Sequence, residues 1–349
     1  MSTGSSHPTK FETIYDLARL PWFDLVDGHR LVVDASVGPI IDMHTHVAVA
    51  YLAKHRVDVL RETPRTAYYL PLDSPVDLDL YSNKNLDDES MFSMKADMSV
   101  LSLTPWGKRV THTAPNLLRD MDDMGIDRSV LLPFDLPFGA SNAEVFMEAA
   151  RRFPRLLPFG SVHPSDRKLE HKLADQHARG VHGMKLHPNG QFLSPDNPKV
   201  VHFCGRCGQV GLPVLFHCGP VGIEPKAAEK RSQVYRYEKA IAENPGTTFI
   251  LGHSGALQHD VGMAFAAKYP NTWFELSCLG LGALRDVLEA VPSDRVLYGT
   301  DWPFYHQSLT LARLLIALDD DPAALRAVLH DNAVRLLQLE PSAAADSAG

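Results

Sequence analysis

From residue 116 onward, stretches with apolar residues at helical spacing alternate with short, nearly continuous apolar runs. Residues 116–124 are amphipathic, and Gly125 stops them before the run at 129–132. The same rhythm predicts helices at 144–153, 169–178, 199–210, 235–243, 261–268 and 283–290. Strands are predicted between them at 156–162, 181–187, 213–217, 247–253, 272–277 and 295–299. With the apolar run that ends at His44 and His46, the pattern gives eight strands. Repeated strand–helix units with continuous apolar strands imply a parallel sheet covered on both faces. Eight of them predict an α/β fold of the (β/α)8 TIM-barrel type, with a doubly wound open sheet as the structural alternative.

Two regions break the rhythm. Residues 1–37 form an N-terminal extension, with a helix predicted at 11–18 and a strand at 30–33 that would cap the barrel's bottom or edge. Residues 47–115 form an insertion after the first strand, too long for a bare loop and so expected to carry helices and partly cover the site. Met91, Met94 and Met98 fall at helical spacing there, as a buried stripe or as the apolar wall of a substrate pocket. The barrel domain then spans 38–340, and the small-residue tail at 341–349 is expected to be disordered.

With 45% hydrophobic and 22% charged residues among 349, the chain has the balance of a soluble globular protein. The net charge of −8, from 34 basic and 42 acidic residues, argues against a general nucleic-acid binder but leaves a small anionic substrate open. No apolar run approaches the roughly 18 residues needed to cross a membrane. Residues 1–10 lack the apolar core of a signal peptide, so a cytoplasmic location is expected. Four cysteines are too few for a disulfide scaffold. Histidine, with 17 copies, is the unusual count and directs attention to where it clusters.

Polar residues recur where the apolar strands stop. His44 and His46 close the first strand, and in an extended chain alternate side chains share a face, which makes the pair a half-site for a divalent metal. Lys185 and His187 end the fourth strand, His217 the fifth and His253 the sixth, and Asp301 follows the eighth. In a barrel these ends converge on the C-terminal face, where active sites lie. Three imidazoles and a carboxylate can hold a zinc-like ion with room for water or substrate.

The motifs IDMHTH at 41–46, GMKLHP at 183–188, LPVLFH at 212–217, LGHSG at 251–255 and YGTDWP at 298–303 together resemble the amidohydrolase superfamily. Specifically, they are similar to its amidohydrolase-2 branch, which includes aminocarboxymuconate semialdehyde decarboxylase, and NAVRLL at 332–337 resembles the family's closing helix. The resemblance leaves 47–115 largely unmatched. It implies one divalent metal, zinc or else manganese or iron, held by His44, His46, His217 and Asp301. It also implies that His253 acts on the metal-bound water or substrate, or binds a second metal, and that Asp301 relays a proton. Lys185 is open between binding a substrate carboxylate together with His187, bridging metals as a carbamate, and a structural ion pair.

The leading expectation is a metal-dependent hydrolase whose activated water attacks an amide, ester or lactone carbonyl. The alternative is a nonoxidative decarboxylase of an aromatic or unsaturated carboxylic acid, and a further one is a metal-free binding protein on the same barrel. The expected partner is a small molecule, carboxylates included, and the resemblance implies a homo-oligomer, dimers being frequent in the family. Weaker signals remain. Gly280-Leu281-Gly282 reads as a tight turn or an anion-receiving loop, and Cys204 and Cys207 have redox spacing inside a helix with no second pair. Asp135, Gln191, Trp302, Tyr305 and His306 follow strand ends and are candidate pocket residues.

Overall fold

The computed structural model describes residues 7–50, 55–139 and 141–340. Eight short strands carry the fold: β1 (Ile40–Thr45), β2 (Ile126–Leu131), β3 (Leu156–Pro158), β4 (Met184–Leu186), β5 (Val214–His217), β6 (Phe249–Gly252), β7 (Thr272–Glu275) and β8 (Val296–Leu297). They pair in parallel as β1-β2-β3 and as β4-β5-β6-β7-β8. Two seams join these arcs. Between β3 and β4, Gly160 N donates to Gly183 O and Lys185 N to Gly160 O, each at 2.8 Å. Between β8 and β1, Met43 N donates to Tyr298 O at 3.0 Å and Asp301 N to His44 O at 2.8 Å. The expected closed TIM barrel is therefore the architecture, and the open doubly wound sheet is not.

Several strands are shorter than the apolar runs that announce them. The run at 156–162 is strand only to Pro158, and that at 181–187 only from Met184 to Leu186. Past Pro158 the chain stays buried through Val162 although it has left the ladder. Inside the barrel, Ile41, Met43, Val130, Leu157, Leu215, Ile250 and Leu297 form one apolar cluster, joined by Ala333 and Leu337 of the closing helix Asn332–Leu337. That helix seals one end of the barrel with side chains spaced one turn apart.

The N-terminal extension differs in detail from its expectation. The residues around 11–18 form a 3-10 helix, Ile14–Arg19, followed by a hairpin of Phe23–Val26 with Arg30–Val33. Ahead of it, Lys10–Phe11 pairs antiparallel with Val76–Asp77 of the 47–115 insertion. Within the insertion, Asp87 caps the helix Asp88–Met98 by accepting from Ser90 N. The fully buried guanidinium of Arg313, on the helix Ser308–Ala317, ties the insertion to the barrel through Leu78 O and Leu80 O and through Ser82 Oγ. The disordered tail expected at 341–349 lies outside the described residues. Among the described residues no helix is long and apolar enough to cross a membrane.

Candidate active site

The strand ends do converge. A pairing irregularity between Asp42 and Thr45 interrupts the alternation of β1. Ile41 and Met43 therefore fill the barrel interior while His44 and His46 both reach its mouth. Asp42 fixes this shift: it accepts from His44 N at 3.0 Å, Thr300 N at 3.1 Å, Thr300 Oγ1 at 2.6 Å and Gln307 Nε2 at 3.1 Å. Burial pushes the Asp42 carboxyl up to about 7 against these hydrogen bonds.

Both first-strand histidines are oriented through Nδ1. His44 Nδ1 lies 2.7 Å from Glu275 Oε2, and His46 Nδ1 lies 2.7 Å from Leu132 O. Each partner is an acceptor, so each ring carries its proton on Nδ1 and leaves Nε2 bare. Asp301 Oδ1 then sits 3.3 Å from His46 Nε2 and 3.8 Å from His44 Nε2. A shared proton or a cation can satisfy these facing atoms. One donor atom from each of His44, His46 and Asp301 lies within 4.8 Å of the others, a set that fits a divalent metal.

His217 is not drawn into that group. Its Nδ1 faces His253 Nε2 at 3.2 Å, and its ring stacks on His187 at a centroid distance of 4.1 Å. His253 stacks on His44 at 4.6 Å and is held by Ser277 Oγ, 2.8 Å from its Nδ1. Lys185, left open between substrate contact, bridging carbamate and ion pair, is fully buried with Nζ 3.3 Å from His44 Nε2, and His187 lines the cavity.

Burial dominates the protonation of this cluster. It pushes His44, His187 and His217 well below the ordinary histidine range, and the neighbouring imidazoles and Lys185 push the same way. His253 falls to about 4 and Lys185 to about 7 for the same first reason, with Asp301 opposing in both. Neutral imidazoles are the form that ligates metal.

Sequence reasoning missed two residues here. Glu275, at the end of β7, accepts from His44 Nδ1, from His253 N at 3.0 Å, from Ser277 N at 2.5 Å and from Ser277 Oγ at 2.8 Å. Burial raises its carboxyl to about 7 against those bonds. A Cβ at Gly299 would collide with Glu275 Oε1 and crowd the Cβ of His44, so that position must stay bare. Cys278 reaches the site too, its Sγ donating to Asp301 Oδ2 at 3.3 Å. The rule that polar residues end strands would have found Glu275; Cys278 lies on the following loop, beyond that rule. His253, Cys278 and Asp301 all hold positive φ, at 59°, 68° and 62°, a strained conformation for side chains of this size that gathers at functional sites.

Above this floor opens a cavity of about 440 Å³. Asp301 and His46 lie at its base, and Tyr69, Met94, Phe134, Phe304 and Tyr305 are among its walls. The methionine stripe divides: Met94 and Met98 line the cavity, while Met91 is half-buried outside it. Of the weaker pocket candidates only Tyr305 lines it. Asp135 instead accepts from Asn142 N at the start of a helix, Gln191 bonds Asp135 O, Trp302 Nε1 bonds Asp120, and His306 pairs with Ser308 Oγ. Cys204 and Cys207 are buried in the helix Pro198–Gln209, and Gly280 precedes the helix Leu281–Ala290, where a Cβ would strike the backbone of Asp79 and Leu80.

The 2,6-dihydroxybenzoate decarboxylase crystallised with 2,6-dihydroxybenzoate is similar in fold: TM-score 0.56 at 17% identity, covering 85% of this chain and 100% of that one. So is 5-carboxyvanillate decarboxylase from Novosphingobium aromaticivorans, complexed with manganese and 4-hydroxy-3-methoxy-5-nitrobenzoic acid, at TM-score 0.53, 15% identity and 88% and 98% coverage. A probable 2-pyrone-4,6-dicarboxylic acid hydrolase from Acinetobacter baumannii, with citric acid bound, matches at TM-score 0.51, 15% identity and 86% and 99% coverage. No curated protein matches the sequence. The Amidohydrolase family model, Amidohydro_2, matches residues 41–339, which takes in all of the barrel strands but Ile40 and every strand-end residue named above: the chain belongs to the amidohydrolase family.

Proposed function

We propose that the protein is a divalent-metal-dependent carboxy-lyase that removes the carboxylate of a small aromatic or unsaturated acid. The observation that carries this reading is the union of a charged floor with an aromatic wall: Asp301 and His46 share one cavity with Tyr69, Phe134, Phe304 and Tyr305. Aromatic walls of this kind suit an unsaturated, apolar body. Their low polarity favours a reaction in which carboxylate charge is dispersed and lost.

His44, His46 and Asp301 would hold the ion, with His217 as the further imidazole that the sequence motifs suggest. When bound, the ion supplies a Lewis acid for the substrate's oxygens, and zinc, manganese and iron all suit this donor set. The chain's own residues do the rest. The bond from ring or vinyl carbon to carboxylate breaks, its electron pair stays on the carbon, and carbon dioxide leaves. Asp301, ionised at rest, takes a proton from water and passes it to that carbon, the hydroxide left behind being taken up by the released carbon dioxide, while neutral His253 orients the substrate beside it. Nothing is oxidised or reduced.

Hydrolysis of an amide, ester or lactone, the leading expectation from sequence, would use the same two residues, with Asp301 Oδ2, which accepts from Cys278, taking a proton from water. One panel separates the readings. Protein loaded with manganese or zinc is given hydroxybenzoates, muconates, lactones and amides, and carbon dioxide and hydrolysis products are both measured. Carbon dioxide from at least one acid, lost in Asp301→Asn, is expected. Hydrolysis alone across the panel would replace the decarboxylase reading.

A further inference from the structure

The Asp301 carboxylate faces two donor sets at once. Oδ1 meets His46 Nε2 at 3.3 Å and His44 Nε2 at 3.8 Å, while Oδ2 meets Cys278 Sγ at 3.3 Å. His253, Cys278 and Asp301 also present donor atoms within 4.8 Å of one another, as closely as the first group does. On His253, Ser277 Oγ engages Nδ1 at 2.8 Å, which turns Nε2 toward His217 Nδ1 at 3.2 Å. Around this point therefore lie a thiol, a carboxylate oxygen and an imidazole nitrogen, with His217 packed against that imidazole. All of their residues are buried or nearly so. The other three cysteines do not compare: among the described residues, Cys278 alone shares a metal-sized group with histidine and carboxylate.

We propose that His253, Cys278 and Asp301 form a second, thiolate-containing zinc site that shares Asp301 with the first. A sulfur, nitrogen and oxygen set of this kind is a zinc set, and its soft thiolate selects zinc over manganese. Binding replaces the S–H bond of Cys278 with an S–Zn bond and releases one proton to the buffer. The two sites thus differ in taste: the first takes zinc or manganese, the second takes zinc. One functional consequence rests on the decarboxylase reading above. A zinc ion here occupies His253 and the free oxygen of Asp301, so a second equivalent of zinc blocks turnover while excess manganese does not.

The test of the site itself does not depend on activity. Cobalt(II) is titrated into metal-free protein, and the near-ultraviolet band of thiolate-to-cobalt charge transfer is followed. The band is expected within the first two equivalents of wild type and absent from Cys278→Ser and Cys278→Ala, which keep one cobalt site. No band in wild type, or an undiminished band in either folded variant, overturns the proposal. Zinc-edge X-ray absorption on the wild-type protein with two zinc equivalents needs no variant. A sulfur neighbour at about 2.3 Å supports the site, and a shell of nitrogen and oxygen alone overturns it. A protein that shows the sulfur ligand but releases no carbon dioxide retains the second site and loses only the proposed reaction.

Discussion

Replacing Glu275 by glutamine would remove the group that aims His44 while keeping its volume. The carboxylate takes four hydrogen bonds through two oxygens, from His44 Nδ1 at 2.7 Å, His253 N at 3.0 Å, Ser277 N at 2.5 Å and Ser277 Oγ at 2.8 Å. An amide offers one oxygen and turns two N–H donors toward groups that are themselves donors. At least one buried donor is left unmet, at a cost of about 1–3 kcal/mol. His44 also loses the partner that keeps its proton on Nδ1 and its Nε2 bare, and loss of such an outer partner typically weakens metal binding by about 10- to 100-fold. That range corresponds to about 1.4–2.7 kcal/mol. The measurement is competition for zinc against a chelator at pH 8, above the value of about 7 to which burial raises the Glu275 carboxyl, so that the wild-type group is ionised. Circular dichroism checks that Glu275→Gln is folded. Affinity within twofold of wild type in the folded variant would refute the claim that Glu275 orients a metal ligand.

Further outcomes follow from the same structure. Arg313→Met removes a buried guanidinium that holds Leu78 O, Leu80 O and Ser82 Oγ, and is expected to destabilise the protein by about 3 kcal/mol or more in urea unfolding. Unchanged stability would show that the insertion is anchored elsewhere. Burial holds His112 at about 3 against an ordinary 6.5, so the native state takes its proton later than the unfolded chain does. That contribution is full above 6.5 and is lost as pH falls toward 3. Between pH 7 and pH 5, His112→Gln should therefore lose about 2 kcal/mol less stability than wild type does. Equal losses in urea unfolding at the two pH values would contradict a neutral, buried His112.

Much of the barrel was legible because its strands are buried on both faces and read as apolar runs ending in chemistry. His44, His46, His253 and Asp301 were visible by that rule. What stayed hidden depends on three-dimensional phase and packing. Strict alternation does not predict that Ile41 and Met43 can fill the interior while His44 and His46 reach the mouth, since that needs the irregularity after Asp42. The helix Ser308–Ala317 is buried along nearly its whole length and so lacks an amphipathic stripe; only its Arg313 hints at a role, and only once its partners are known. Lys185 points the way alternation implies, yet ends beneath the histidines and not on the cavity wall, because depth along the barrel axis is not written in a two-residue period. Glu275 ends its strand and was open to the same rule, but its bond to His44, 231 positions away, was not.

The central claim is that His44, His46 and Asp301 form a metal centre at the foot of the cavity. Metal retained after loading with one equivalent of manganese and desalting, measured by elemental analysis, tests it most directly. The account predicts close to one ion per chain in wild type and little in folded His46→Asn and Asp301→Asn. Wild type that retains no metal, or variants that retain as much as wild type, would contradict it.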